Sequence, residues 1–499
     1  MKYCNPVIPG FFPDPSICKA NGKYYMVNSS FQYFPGVPIH ESVDLINWKL
    51  IGHVLTRPSQ LPLKDAGNSG GIFATTIRFN KGRFYMVTTN VSFGGNFYVW
   101  TDDIYGEWSD PIWIDQDGID PSFYFECDTC YFMTNGTDDE GNGGIIQCEI
   151  DIETGKILTK KKRIWTGCGG RYLEGPHLYK FKDTYYILAA EGGTEYGHMV
   201  IMATGKTPYG PFTAVENNPV LTNRNLGGYE IQGVGHGDIV EDDKGNFWMV
   251  HLAYRQLGQW MMFHTTGRET YFVPMEIDGD KIKVGDNGTT RFEFDTDKIT
   301  AVQESPNKTY TFENTHLNME WIHIREPKTE NYEFKNNAYY LKGTDEGICK
   351  DLSNPTFMGM RLKEMKGELN CNVKPGTGIG GITLYMDNEH HYDICVAKEN
   401  ENLHVTHRCV IGDVNYIKKE VYIKNSKKCV INIKFEPEYF SFAVKENGKE
   451  YDLGCGRARY LATEVTCGFT GVMVGLFAED ESKEKIPVEF RDFKFVTKR

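Results

Sequence analysis

The sequence predicts an all-β chain: a five-bladed β-propeller over residues 1–300, then a jelly-roll-like β-sandwich over residues 301–499. Three observations predict it. Short runs rich in Tyr, Phe, Val, Ile and Thr are punctuated by Gly, Asn and Asp every eight to twelve residues, long amphipathic helices are missing, and one pattern recurs five times.

The recurring pattern is a turn, two aromatics and an aliphatic pair: GKYYMV, GRFYMV, DTCYFM, DTYYIL and GNFWMV. Its first aromatics, Tyr24, Phe84, Tyr131, Tyr185 and Phe247, are separated by 60, 47, 54 and 62 residues. This spacing is too long for a solenoid turn and suits a four-stranded propeller blade with loop insertions, five of which fill about 300 residues. A second strand-like run precedes each pair, and ten or eleven residues back stand Asp14, Phe73, Asp120, Glu174 and His236. If that run is the innermost strand of its blade, the five residues converge at one mouth of the axial channel. Three of them are carboxylic acids.

The repeat stops near residue 301, where Glu304, Pro306 and Asn307 mark a polar linker. From Tyr310 onward alternation dominates: residues 382–386, 392–396, 430–435 and 489–496 read as half-buried strands of a sandwich.

At 499 residues the chain is longer than one hydrophobic core usually serves. Its net charge of −13, with no basic block beyond residues 160–163, excludes nucleic acid as a partner. Nowhere do eighteen apolar residues run together, so no membrane partner is expected. The opening MKYCNPVIPGFFPDP lacks the apolar core of a signal peptide, which points to a soluble cytoplasmic protein. Thirteen cysteines without a spaced framework suit a reducing compartment, and Cys127 with Cys130 lacks a second pair to complete a zinc site. Large two-domain β proteins with aromatic surfaces often form symmetric assemblies, so a homo-oligomer is among the expected partners.

Two carboxyl groups facing one pocket are what glycoside hydrolysis needs: one protonates the leaving oxygen while the other activates water or attacks the sugar. Phe31, Tyr33, Phe34 and Phe73 offer flat apolar faces for sugar C–H surfaces. Singly, Asp before Pro caps turns and Glu-Gly-Pro suits a loop. Together, three acids at one register bury like charges at one axis, which is costly unless a proton or a ligand relieves it. The set therefore reads as functional.

Several motifs in order are similar to those of glycoside hydrolase family 43: Phe12-Pro13-Asp14-Pro15-Ser16, Gly118-Ile119-Asp120-Pro121-Ser122, Tyr172-Leu173-Glu174-Gly175-Pro176-His177 and Gly235-His236-Gly237-Asp238. Phe34-Pro35-Gly36-Val37, the SVDLINW run at 42–48, Glu191-Gly192-Gly193-Thr194 and Gly267-Arg268-Glu269-Thr270 resemble its xylosidase and arabinofuranosidase branches. The resemblance implies an exo-acting, inverting glycosidase acting on xylo- or arabinoxylo-oligosaccharides. In it Asp14 is the general base, Glu174 the general acid, and Asp120 the residue that raises the acid's pKa and orients it. Inversion implies a gap of roughly 6.5–9.5 Å between base and acid to seat the water. Arg268 implies a guanidinium fork on sugar hydroxyls. His236 takes the axial position. There, in some members, a histidine helps hold calcium completed by water, although no cofactor is needed for the chemistry. Gly468-Phe469-Thr470-Gly471 resembles a sandwich loop that closes the pocket, with Phe469 as its aromatic. Phe73 stands where relatives often carry Trp, and Ala74-Thr75-Thr76 replaces an Ala-Pro pair.

The leading expectation is a β-xylosidase releasing xylose from non-reducing ends. The alternatives are an α-L-arabinofuranosidase, both activities in one site, or a carbohydrate-binding protein without catalysis. Two decoys are set aside. Residues 376–381 satisfy G-x-G-x-x-G but lead into a strand-like run instead of a helix. His390 and His391, following Asn388 and Glu389, read as a solvated hairpin turn rather than a metal site.

Overall fold

The computed structural model describes residues 1–258, 260–315 and 319–499. The five sequence repeats become five antiparallel four-stranded sheets. Their first strands are Ser16–Ala20, Ile72–Asn80, Ile119–Glu126, Glu174–Phe181 and Ile231–Glu241. The aromatic pairs lie in the second strands, Lys23–Val27, Arg83–Asn90, Thr129–Thr137, Thr184–Glu191 and Phe247–Arg255. Each first strand packs against the next, and the last returns to the first, closing a ring around an axis. This is the arrangement of a β-propeller. Neighbouring sheets cover both faces of the second strands, which explains why an unbroken apolar run fills them instead of a strict alternation.

The remainder forms an eight-stranded and a six-stranded antiparallel sheet, with Leu369, Ile382, Leu384, Ile394, Ile431 and Phe490 in the core between them. Among the described residues no helix is long and apolar enough to cross a membrane. The runs at 430–435 and 489–496 alternate in part: Asn432 is buried between Ile431 and Ile433, and the alternation slips at Arg491 and Asp492. Strands Ile379–Asp387 and His390–Glu399 do not: they are buried on both faces. One face serves the sandwich core; the other turns Tyr385 and Cys395 into a cluster with Phe11, Phe31 and Tyr33 of the propeller. The propeller covers what the sequence pattern reads as a solvated face.

The same burial corrects the reading of His390 and His391. Both begin a buried strand instead of occupying a solvated turn; His390 Nδ1 lies 2.9 Å from Asp387 Oδ1, and His391 Nδ1 2.9 Å from the Asp393 carboxylate. Carboxylate partners on the same hairpin and pairing with the next strand, not a solvated turn, hold them there.

Backbone pairing also crosses between the two halves. Tyr33–Phe34 leaves the first sheet and pairs with His323–Ile324 of the sandwich half. Nearby, Arg255 donates to Glu269 at 2.7 and 2.8 Å and to Glu364 Oε2 at 2.7 Å, and Arg499 Nε donates to Glu364 Oε1 at 2.9 Å. Both glutamates are buried, so removing the cation between them leaves uncompensated charge. Replacing Arg255 by Met is expected to cost about 3–5 kcal/mol, read as a lower midpoint in urea unfolding, and the loss should shrink when Glu364→Gln is added.

Candidate active site

Four of the five first strands do not begin with regular pairing; Ser16–Ala20 does, and Asp14 stands just ahead of it. Register shifts fall between Ile72 and Thr75, Ile119 and Ser122, Glu174 and His177, and twice between Gln232 and Gly237. Such bulges re-aim a side chain out of the sheet pattern. Asp14, Asp120 and His236 adopt left-handed φ values of 50°, 54° and 47°, a region that Asp and His enter more readily than most residues. His236 departs from the expected register, for its strand begins five residues earlier, at Ile231, and bulges twice to present it.

These kinks gather the charged groups at one end of the axis. Asp14 is buried; its Oδ1 accepts from Arg268 Nη1 at 3.0 Å and lies 4.0 Å from His236 Nδ1, and its Oδ2 accepts from the Ser29 hydroxyl. Burial alone would raise the Asp14 carboxyl, but Arg268, His236 and Ser29 outweigh it and hold the group below the usual carboxylate range. Burial keeps His236 below the ordinary histidine value against the pull of Asp14 and Glu174, so its ring is neutral near pH 7.

Asp120 is also buried and accepts from the Gly175 backbone N–H at 3.2 Å. Burial first, then the charges of Glu174 and Asp14, push its carboxyl well above the usual range. Asp120 and Glu174 therefore stand as a pair in which Asp120 holds its proton to higher pH than an isolated acid would. Glu174 is the more open of the two, with 18% of its side chain exposed.

His198 supplies orientation. Its Nδ1 donates to the Gly233 carbonyl at 3.1 Å, so in the neutral ring the Nε2 lone pair points toward Glu174 Oε1, 3.6 Å away. The ring lies so close to the chain at Gly235 that a Cβ there would come within 2.5 Å of it.

A cavity of about 720 Å³ opens over these groups. Asp14, Asp120, Glu174, His236, Arg268, Phe31, Phe73 and Phe469 all line it. The three phenylalanines form one wall, with Phe31 5.3 Å from Phe73 and 6.0 Å from Phe469 between ring centres. Phe469 reaches the cavity because its backbone N–H donates to Ser69 Oγ at 2.8 Å and its carbonyl accepts from Arg268 Nη2 at 3.4 Å. Phe34 does not line the cavity: it follows Tyr33 into the inter-domain strand pair and packs against the apolar cluster of the first two sheets.

Other groups at the site are missing from the sequence reading. Thr194, which accepts from Arg268 Nη1 at 3.0 Å, and His198 both fall in a stretch with family likeness, which was their only signal. Glu464 comes from the sandwich, accepting from His264 N at 3.0 Å and lying 2.8 Å from His264 Nδ1, while His264 stacks on Tyr254 at 4.1 Å. Nothing local in the sequence marks it.

Among the described residues, one group of metal-ligating atoms stands close together: Asp120, Glu174 and His236, within 4.8 Å of one another. It offers two carboxylates and a ring nitrogen, whereas calcium takes six to eight oxygens. These residues do not fit a resident calcium ion, and no chemical step is drawn through one.

The matches to known proteins agree with this geometry. Residues 3–282 match the model of glycosyl hydrolases family 43, and residues 309–496 that of the beta xylosidase C-terminal concanavalin A-like domain. The chain is 33% identical to a non-reducing end alpha-L-arabinofuranosidase of Bacteroides ovatus, covering 98% of this chain and 94% of that one. It is 35% identical to a xylosidase/arabinosidase of Butyrivibrio fibrisolvens, covering 96% of each. Among solved structures, a xylan beta-1,4-xylosidase of Bacillus halodurans superposes with a TM-score of 0.89 at 28% identity, covering 99% of each chain. The chain is a glycosidase, and it belongs to glycosyl hydrolase family 43.

Proposed function

We propose that the chain is an exo-acting, inverting β-xylosidase that removes xylose from the non-reducing ends of short xylo-oligosaccharides, with each of the five sheets serving as one propeller blade. The observation that carries this reading is the split in charge across one cavity: a carboxylate held ionised by Arg268 on one side, a proton-keeping carboxyl pair on the other. Inverting hydrolysis asks for these two states at once.

Asp14 accepts a proton from water as that water attacks the anomeric carbon, and Glu174 donates its proton to the departing oxygen. Asp120 keeps the pair protonated until that step, and His198 aims the Glu174 carboxyl. Arg268, fixed by Asp14, Thr194 and the Phe469 carbonyl, presents its remaining donors to sugar hydroxyls. The wall that the sandwich contributes through Phe469 and Glu464 closes one side of the cavity, which supports release of single terminal sugars over cleavage within a chain.

An α-L-arabinofuranosidase activity, alone or in the same site, is the second reading. It is favoured by the two relatives above whose names carry that sugar, and the two pentoses present similar hydroxyl geometry. A carbohydrate-binding protein without catalysis gives no reason for the opposed protonation states.

Glu174→Gln tests the proposal. Hydrolysis of xylobiose should fall about 10²–10⁴-fold while an aryl xyloside with an activated leaving group loses far less, since only the poor leaving group needs the acid; equal losses on both would contradict the role. The pH profile of kcat/KM gives a second test. Arg268→Met frees Asp14 from its cation, so the acidic limb should move to higher pH.

A further inference from the structure

Outside the cavity, the six-stranded sheet carries a closed chain of charged side chains that the glycosidase reading does not use. On strand His390–Glu399, His391 and Asp393 sit two residues apart and so share a face, both fully buried. His391 Nδ1 lies 2.9 Å from both carboxylate oxygens of Asp393. The other ring nitrogen, Nε2, lies 3.5 Å from the sulfur of Cys349, a half-buried residue on the loop that precedes strand Thr356–Arg361.

The support continues outward. Asp393 Oδ2 accepts from Arg408 Nε at 2.6 Å, Arg408 Nη2 donates to Glu479 Oε1 at 3.4 Å, and that same oxygen accepts from the backbone N–H of Ile348 at 3.3 Å. Ile348 immediately precedes Cys349, so the network returns to the loop that holds the thiol. A structural ion pair needs only His391 and Asp393. The sulfur on the second ring nitrogen completes the order thiol, imidazole, carboxylate, in which a base is oriented by a third group.

The charges around the sulfur agree. Burial opposes a charge on His391, but Asp393 outweighs it and holds the ring at about 9, an imidazolium at neutral pH. Arg408 and Glu479 offset one another farther out, and Tyr385, whose ring is 5.8 Å from His391, is a neutral phenol pushed up by burial. The charged group in direct contact with the sulfur is the His391 cation.

The geometry points to Cys349 as a nucleophilic thiol, a second reactive site in the sandwich that is oxidised by hydrogen peroxide. The thiolate sulfur attacks one peroxide oxygen, an S–O bond forms and the O–O bond breaks. The departing hydroxide takes the proton of His391 Nε2 and leaves as water, and the transferred oxygen keeps its hydrogen. Sulfur is oxidised to the sulfenic acid and the peroxide is reduced to water.

Limiting iodoacetamide on the native full-length chain, followed by peptide mass spectrometry, tests this with the exposed Cys127 and Cys455 as internal standards. Cys349 should be alkylated about tenfold faster than Cys127 at pH 6.5. Its rate should stay nearly flat from pH 6 to 8 while that of an ordinary thiol rises about 80-fold. His391→Gln should restore the ordinary slope, and hydrogen peroxide followed by dimedone should label Cys349 in the wild type and not in that variant. A wild-type Cys349 that reacts more slowly than Cys127, or with the same pH slope, overturns the proposal whether or not the variant folds.

Discussion

The contact between Arg268 and Asp14 is the interaction on which the site depends. Three carboxyl groups share one buried axis, and three ionised groups there would repel one another and resist desolvation. Arg268 relieves one of them by pairing, which leaves Asp120, beside Glu174, to keep its proton. The same guanidinium reaches the Phe469 carbonyl, so the group that sets the charge state of Asp14 also ties the sandwich to the cavity.

The second domain is therefore part of the site rather than an appendage. It adds a strand partner to Tyr33–Phe34, buries the face of its own sheet that carries Tyr385 and Cys395, and shares the ionic cluster of Arg255, Glu269 and Glu364. Each of these contacts fixes the distance between the propeller mouth and the loop bearing Phe469 and Glu464. A pocket assembled from two domains can be closed on one side without a mobile lid, and its width follows from packing that neither domain sets alone.

How far this could be read from residues alone depended on whether the cause was local. The aromatic pairs marked the second strand of every sheet, because a strand covered on both faces needs an unbroken apolar run. Asp14, Asp120 and Glu174 stood out because a fixed offset from those pairs survives in the sequence. The bulges that aim Asp120 and Glu174 leave no comparable trace, nor do those that set His236 five residues into its strand. Phe34 looked like a sugar platform until its strand turned out to pair with the sandwich, and His391 looked solvated until Asp393, Cys349 and Tyr385 closed around it. Glu464 and His198 act across distances in the chain that no motif spans.

The central claim is that Asp14 delivers water to one face of the sugar while Glu174 protonates the oxygen on the other. Proton NMR of the enzyme with xylotriose, recorded before mutarotation mixes the anomers, tests it most directly. The account predicts that α-xylose appears first, as inversion of a β-linked terminal xylose requires. Early β-xylose would mean retention and would contradict the assignment of Asp14 as the base, and the absence of any released pentose would contradict the glycosidase reading of the whole cavity.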